Sequence, residues 1–389
     1  VDDGERIGRA IERAREDARS PYAGGARAEP RGARFLAVGD PQAPLAVFLG
    51  ILAAHRLLDD DGRLAAAVHL VSMGDHFDWG GRDERETVAR SGLESLAWLA
   101  AHPPGQVTLI LGNHDLARVG ELARYDDEGF RAAQEEADAV GEGAADAERF
   151  SARHPDVPSF EILSRDLSTF RVAQRRLVAA LLRARRFCIA QQVASPVLLS
   201  HAGVTRDELT GLGLDADPPE AVAVAAGLNA ALDAAVAGWS EGAPLSIPGL
   251  HEPGSAASGE GRGMLYHRPA HPGGPRRDAL GHELFAGPPR RRFDPRRLPR
   301  GLVQAIGHIG DRKCRELLGA WAPPSSGATF GRLRHLRTDG RNGSYAPGAP
   351  DAWGTDEAVM LFLDGTMAHP RARPYELLDL ETLVPAARE

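Results

Sequence analysis

Ala37-Val38-Gly39-Asp40-Pro41-Gln42, Met73-Gly74-Asp75-His76-Phe77-Asp78 and Ile110-Leu111-Gly112-Asn113-His114-Asp115 share one pattern. Each closes a short apolar run with glycine and then with polar residues: Phe35–Val38, Val68–Met73 and Val107–Leu111. Such runs predict buried parallel strands. Between them, Pro44–Leu58 and Glu84–Ala101 have helical apolar spacing. Strand, helix, strand, helix, strand makes a βαβαβ unit, whose ligands bind beyond the carboxyl ends of the strands. Asp40, Asp75, Asp78, Asn113 and His114 are all expected at that end. One carboxylate there is an ordinary turn residue. Oxygen and imidazole donors at three successive strand ends point to a site.

Working outward, Pro196-Val197-Leu198-Leu199-Ser200-His201-Ala202-Gly203 puts a histidine after a further apolar run. Val303-Gln304-Ala305-Ile306-Gly307-His308-Ile309-Gly310 does so again. With these two the chain resembles the calcineurin-like metallophosphoesterases. Within them it looks closest to the phosphoprotein-phosphatase branch, which includes the symmetrical dinucleoside-tetraphosphate hydrolases. That family's blocks are GDxH, GDxxD, GNH[DE], a His in an HxG context, and a final GH. All five stand in order between Gly39 and His308, the first incomplete.

The composition sets bounds. A chain of 389 residues, 43% of them apolar, can bury a sizeable core in one large domain or two ordinary ones. A formal charge of −8 argues against a nucleic-acid surface as the main function. Lys313 is the only lysine among 46 basic residues, so arginine is a compositional habit here and a single arginine carries little weight. Cys188 and Cys314 have no metal-site spacing and read as buried thiols in a reducing, cytoplasmic setting. No apolar run reaches a membrane span, and the charged start does not read as a secretory leader.

Residues 1–32 are expected to form a charged amphipathic helix and a Gly/Pro/Ala linker, and 33–389 the main domain. Leu116–Phe150 is acidic and Ala-rich, predicting partly mobile surface helices. Ser164–Arg186 predicts a stronger amphipathic helix, so residues from about 116 to 186 make a helical insertion. Phe187–Gln192 and Pro196–Ser200 read as two strands around a turn at Ala194-Ser195, and Pro218–Val236 as a helix. About 238–300 is irregular; its Arg290-Arg291-Arg292 and Arg296-Arg297 clusters read as solvated loop. Leu302–Ile306 reads as a strand again, and Arg332–Thr338, Val359–Asp364 and Tyr375–Leu380 as strands separated by turns, which suits the second sheet that the resemblance implies. The fold class is α/β: a two-sheet β-sandwich flanked by helices, the metallophosphoesterase fold, with a helical insertion.

The resemblance implies two divalent metal ions, with Asp75 bridging them. Asn113, His201 and His308 would complete the second ion's ligands, a set suited to Mn, Fe or Zn rather than Ca. Asp40, Asp75 and Gln42 would hold the first. Here the chain departs from the family, which has His at the position of Gln42, and in some branches a second His at that of Gly310. An amide oxygen is a weaker and harder donor, favouring Mn²⁺ or Mg²⁺ over Zn²⁺ and implying a weak first site. His114 would stand over the phosphate as general acid or charge stabiliser, oriented by Asp78. The branch places an Arg after GDxxD; this chain has Trp79, which leaves Arg268 and Arg82 as candidate phosphate binders.

The expected function is divalent-metal-dependent hydrolysis of a phosphomonoester or phosphoanhydride, in a small molecule or a protein. Two alternatives stay open: a degenerate relative that binds or regulates without turnover, and a nucleotide phosphodiesterase. No membrane or nucleic-acid partner is expected.

Overall fold

The structure is a computed structural model that describes residues 2–193, 197–214, 218–273, 291–323 and 328–387. α1 (Asp3–Arg19) precedes β1 (Arg34–Val38), α2 (Leu45–Ala54), β2 (Val68–Ser72), α3 (Arg85–Ala101) and β3 (Val107–Ile110), which form the expected βαβαβ unit. α4 (Asn113–Ala117) begins inside the third block, and α5 (Asp127–Gly141), α6 (Ala147–Arg153) and α7 (Val172–Arg183) follow. Next come β4 (Phe187–Cys188), β5 (Ala190–Gln192), β6 (Val197–Ser200), α8 (Arg206–Gly211) and α9 (Ala221–Ala237). β7 (Arg268–Pro269) pairs with β8 (Arg292–Phe293) inside the irregular stretch. β9 (Val303–Ile306), α10 (Asp311–Leu318), β10 (Arg334–Thr338), β11 (Gly343–Pro347), β12 (Ala358–Phe362) and β13 (Leu378–Asp379) complete the chain.

Two sheets stack as the sequence predicts. The first has the order β13-β1-β2-β3-β4, parallel from β1 to β4 with β13 antiparallel at its edge. The second has the order β11-β10-β12-β9-β6-β5, with β6, β9 and β12 parallel. Ala37, Val71 and Ile110 of the first sheet pack against Leu199, Ala305 and Leu361 of the second. Because side chains alternate along a strand, the other faces are free for helices. α1, α2 and α3 lie together outside the first sheet; α1 buries Ala10 and Ala14 there. Its charged face is held by paired bonds from Arg63 to Asp17. α10 covers the second sheet with Cys314 and Leu317.

Several expectations needed correction. Phe187–Gln192 is not one strand: β4 pairs with β3, then the chain crosses and β5 pairs with β6 in the other sheet. The Asn229 side chain stabilises the crossing, accepting from Ile189 N at 2.9 Å and donating to Ala190 O at 2.8 Å. The expected Pro44–Leu58 helix stops at Ala54, because Arg56 adopts a left-handed φ of 53°. The insertion is not a set of surface helices: Phe130, Phe150, Leu163 and Phe170 bury one another in a core of their own. Its last helix begins only at Val172, after a π turn at Ile162–Asp166. Near the end, only Leu378–Asp379 of the expected Tyr375–Leu380 strand joins a ladder, and it does so beside β1 at the edge of the first sheet, not in the second. The turn at Ala194-Ser195 and Arg290 lie outside the described residues.

Candidate metal centre

The carboxyl ends of both sheets open onto one place. Asp75 follows β2, His201 follows β6 and His308 follows β9; all three are buried, and their ligand atoms lie within 4.8 Å of one another. Asn113 joins them from the start of α4. His201 Nε2 lies 3.1 Å from Asn113 Oδ1, 3.1 Å from His308 Nδ1 and 3.2 Å from Asp75 Oδ2. The opposite ring nitrogen, Nδ1, is 2.8 Å from the Met73 carbonyl oxygen. A carbonyl only accepts, so Nδ1 carries a proton and Nε2 faces the other three side chains. One proton at Nε2 could serve only one of its three neighbours. A cation satisfies all four donors at once, so the residues present fit a divalent metal with mixed N and O ligands. Among the described residues this is the group of His, Cys, Asp and Glu that can hold an ion.

The backbone is bent to build this group. Asp75, Asp78 and His308 have φ of 54°, 64° and 66°, left-handed values that cost a non-glycine residue about 1–3 kcal/mol each. Asp115, fully buried, braces the turns. Its Oδ2 accepts from Asp75 N at 3.1 Å and Gly112 N at 3.0 Å. Its Oδ1 accepts from His76 N at 3.1 Å. His76 Nδ1 lies 3.0 Å from Asp115, and its Nε2 3.0 Å from Ser72 Oγ. This Ser–His–Asp row is no nucleophile: all three residues are 0% exposed, so no substrate reaches the hydroxyl. It is a brace, and it gives His76 the role that sequence reading could not.

His114 stands beside the group, not in it. Its backbone N donates to Asp75 Oδ1 at 2.9 Å, and its Nδ1 donates to Asp78 Oδ2 at 2.9 Å. Its side chain is 20% exposed, against 1% for Asp78. Burial works against a charge on His114, but Asp75 and Asp78 outweigh it and raise its pKa. Burial likewise opposes ionisation of Asp78, and Arg118, His114 and Thr169 hold its carboxyl below the usual range. Arg118 Nη2 donates to Asp78 Oδ2 at 2.6 Å, while Thr169 donates to Oδ1 through its N at 3.0 Å and its hydroxyl at 2.7 Å. Sequence reading missed both residues. In an arginine-rich chain Arg118 gives no signal, and Thr169 comes from the insertion.

Asp40 follows β1 and is buried. Its two oxygens share the backbone N–H of His308, at 3.1 and 2.9 Å. Burial pushes its pKa well up, and Asp364 and Asp75 add to the rise. Gln42 donates through Nε2 to the Phe77 carbonyl at 2.6 Å and the Asp78 carbonyl at 3.1 Å, leaving Oε1 as its open end. Arg268 lies on β7, within range to depress the pKa of His308, which burial already lowers. Its guanidinium makes no hydrogen bond or ion pair among the described residues. Arg82 is placed elsewhere: it pairs with Asp138 at 3.1 Å and with Glu142 on the insertion, 56% exposed. The basic cluster residues Arg291, Arg296 and Arg297 are paired with Glu260, Asp294 and Asp207. No helix among the described residues is long and apolar enough to cross a membrane.

No family model and no curated protein matches the chain. Among solved structures, a cold-active protein tyrosine phosphatase is similar at 14% identity and a TM-score of 0.40, over 94% of this chain and 77% of that one. A protein serine/threonine phosphatase from Saccharomyces cerevisiae, described as similar to human phosphatase PP5, aligns at 11% identity and a TM-score of 0.31, over 92% and 94%.

Proposed function

We propose that the chain is a divalent-cation-dependent hydrolase of phosphomonoesters or phosphoanhydrides. The observation that carries this reading is the buried set Asp75, Asn113, His201 and His308, whose side-chain atoms converge on His201 Nε2 at 3.1–3.2 Å, next to a partly exposed His114. These four residues would hold the ion, and manganese suits their mixed N and O donors. When bound, the ion supplies Lewis acidity and charge neutralisation at the phosphoryl group.

The chain's own residues do the rest. Asp78, fixed by Arg118 and Thr169, holds His114 Nδ1–H and so aims Nε2 toward the opening. His114 then delivers a proton from Nε2 to the leaving oxygen. The guanidinium of Arg268, unpaired among the described residues, would bind phosphoryl oxygens, the task that Trp79 cannot perform. A small-molecule or protein phosphoester would serve as substrate.

The test is turnover of p-nitrophenyl phosphate and bis(p-nitrophenyl) phosphate, with MnCl₂ and with EDTA. The reading expects faster monoester hydrolysis with Mn²⁺ and loss of it in EDTA. No turnover at any Mn²⁺ concentration would favour a binding protein, and faster diester hydrolysis a phosphodiesterase.

A further inference from the structure

The main chain at Asp78 is held by a residue from a different strand end. Gln42 comes from the loop after β1 and reaches the turn after β2. Its Nε2 donates to the Phe77 carbonyl at 2.6 Å and to the Asp78 carbonyl at 3.1 Å. Both partners only accept, so the NH₂ end of the amide is the end that faces them. Neither carbonyl accepts another hydrogen bond among the described residues. Two successive carbonyls thus meet at one nitrogen, in a turn where Asp78 has a φ of 64° and Gly80 one of 75°. Phe77 and Asp78 are buried, so these oxygens need a donor from the protein itself. Gln42 supplies it.

The resemblance implies a metal ligand at position 42, but the structure gives this side chain another task. An imidazole that bound an ion through one nitrogen would keep a single N–H, on the other side of its ring. An amide carries two N–H bonds on one nitrogen and can serve both carbonyls. The Gln42 oxygen makes no hydrogen bond among the described residues. What the turn carries is the orienting group of the site: Asp78 Oδ2 lies 2.9 Å from His114 Nδ1. Arg118 and Thr169 grip the carboxylate of Asp78, and Gln42 grips its backbone. A turn that shifts takes the carboxylate and the imidazole with it.

We propose that Gln42 is a positioning residue and not a ligand: it pins the turn at Phe77 and Asp78 to the loop after β1, and so aims the ring of His114. The inference rests on the hydrolase reading only for the proton that His114 delivers. A ligand would use Oε1, whereas a brace uses Nε2, and two substitutions separate them. Gln42→Glu keeps the shape, offers a better ligand and removes the donor. Gln42→Lys keeps N–H donors and has no acceptor.

The first readout is the ratio of kcat for phenyl phosphate to kcat for p-nitrophenyl phosphate, each variant at its own saturating Mn²⁺. A misaimed acid slows the poorer leaving group more, while a merely loosened fold slows both alike. Gln42→Glu should lower the ratio about 10-fold, part of the ~10²–10⁴-fold that general acid catalysis contributes. Gln42→Lys should keep the ratio near the parent's. A parent-like ratio in Gln42→Glu, or a ratio in Gln42→Lys as low as in Gln42→Glu, would overturn the proposal. The second readout needs no turnover. In metal-free protein with isotope-labelled histidine, the Nδ1–H resonance that His114→Asn removes should persist in Gln42→Lys and be lost to solvent exchange in Gln42→Glu. An unchanged resonance in Gln42→Glu would overturn the proposal as well. A parent that hydrolyses neither ester, with the resonance behaving as stated, would overturn the hydrolase reading and leave the brace standing.

Discussion

At the scale of single residues, the roles proposed for His114 and Asp78 separate chemistry from metal binding. His114 hydrogen-bonds Asp75 through its backbone N–H and Asp78 through Nδ1, and its Nε2 stands 3.9 Å from Asp75 Oδ2. His114→Asn should therefore retain bound metal and lose about 10²–10⁴-fold in kcat, the usual share of general acid catalysis. The loss should be larger for an alkyl phosphate than for p-nitrophenyl phosphate, whose leaving group needs little protonation. Asp78→Asn should show a milder loss of the same kind. Rates on both substrates, with metal analysis of the same samples, check this; equal losses would mean that the imidazole stabilises charge without giving a proton. Asp40, Asp75, Asn113, His201 and His308 were legible because each ends a readable strand. Arg118 and Thr169 were not legible, since their role depends on where a buried guanidinium and an inserted loop meet Asp78.

At the scale of elements, glycines set how closely the strand ends approach. A Cβ on Gly307 would lie 1.9 Å from Asp40 Oδ1. Gly307→Ala must push that carboxylate off the His308 N–H, which should cost roughly 1–3 kcal/mol in urea unfolding and weaken metal retention. A variant as stable as the parent would show that Asp40 is not held there. Away from the site, the C-terminal end of α3 carries an acid-sensitive contact. His102 donates from Nδ1 to Trp98 O at 2.8 Å and accepts at Nε2 from Leu64 N at 3.0 Å. Burial, with Arg63 nearby, lowers its pKa to about 3. Protonation would set two donors against each other. The unfolded chain takes up this proton below about pH 6.5 and the folded one only near 3, so stability is full above pH 6.5 and falls as pH drops toward 3. Between pH 6 and 4, His102→Asn should flatten the slope of unfolding free energy by up to ~1.4 kcal/mol per pH unit. An unchanged slope would mean that His102 does not control it. Helices and strands of this kind were readable from their periodicity. The switch from β4 to β5 was not, because two sheets share one apolar run and only Asn229, far along the chain, marks the crossing.

At the scale of the molecule, the two sheets are one device. The first supplies Asp75 and Asn113 and the second His201 and His308, so the buried cluster exists only where the two sheets meet. The alternation of strands and helices showed the first sheet, and the resemblance implied a second stacked on it. Which side chains join them, such as Val71 and Ile110 with Leu199 and Ala305, was not legible, because the runs lie far apart in the chain. The insertion reaches the site through Thr169 on Asp78, so its docking and the aim of His114 are coupled. Thr169→Val should lower kcat several-fold while leaving metal affinity unchanged, as steady-state rates and Mn²⁺ dialysis would show. The most direct test of the whole account is a Mn²⁺ titration of the metal-free protein that follows hydrolysis of p-nitrophenyl phosphate and the thermal midpoint together. An ion bound only by the folded state stabilises it by mass action. The account predicts that the midpoint rises with added Mn²⁺, that activity appears over the same range, and that His201→Ala abolishes both. Full activity in EDTA, or activity that grows while the midpoint stays unmoved, would contradict it.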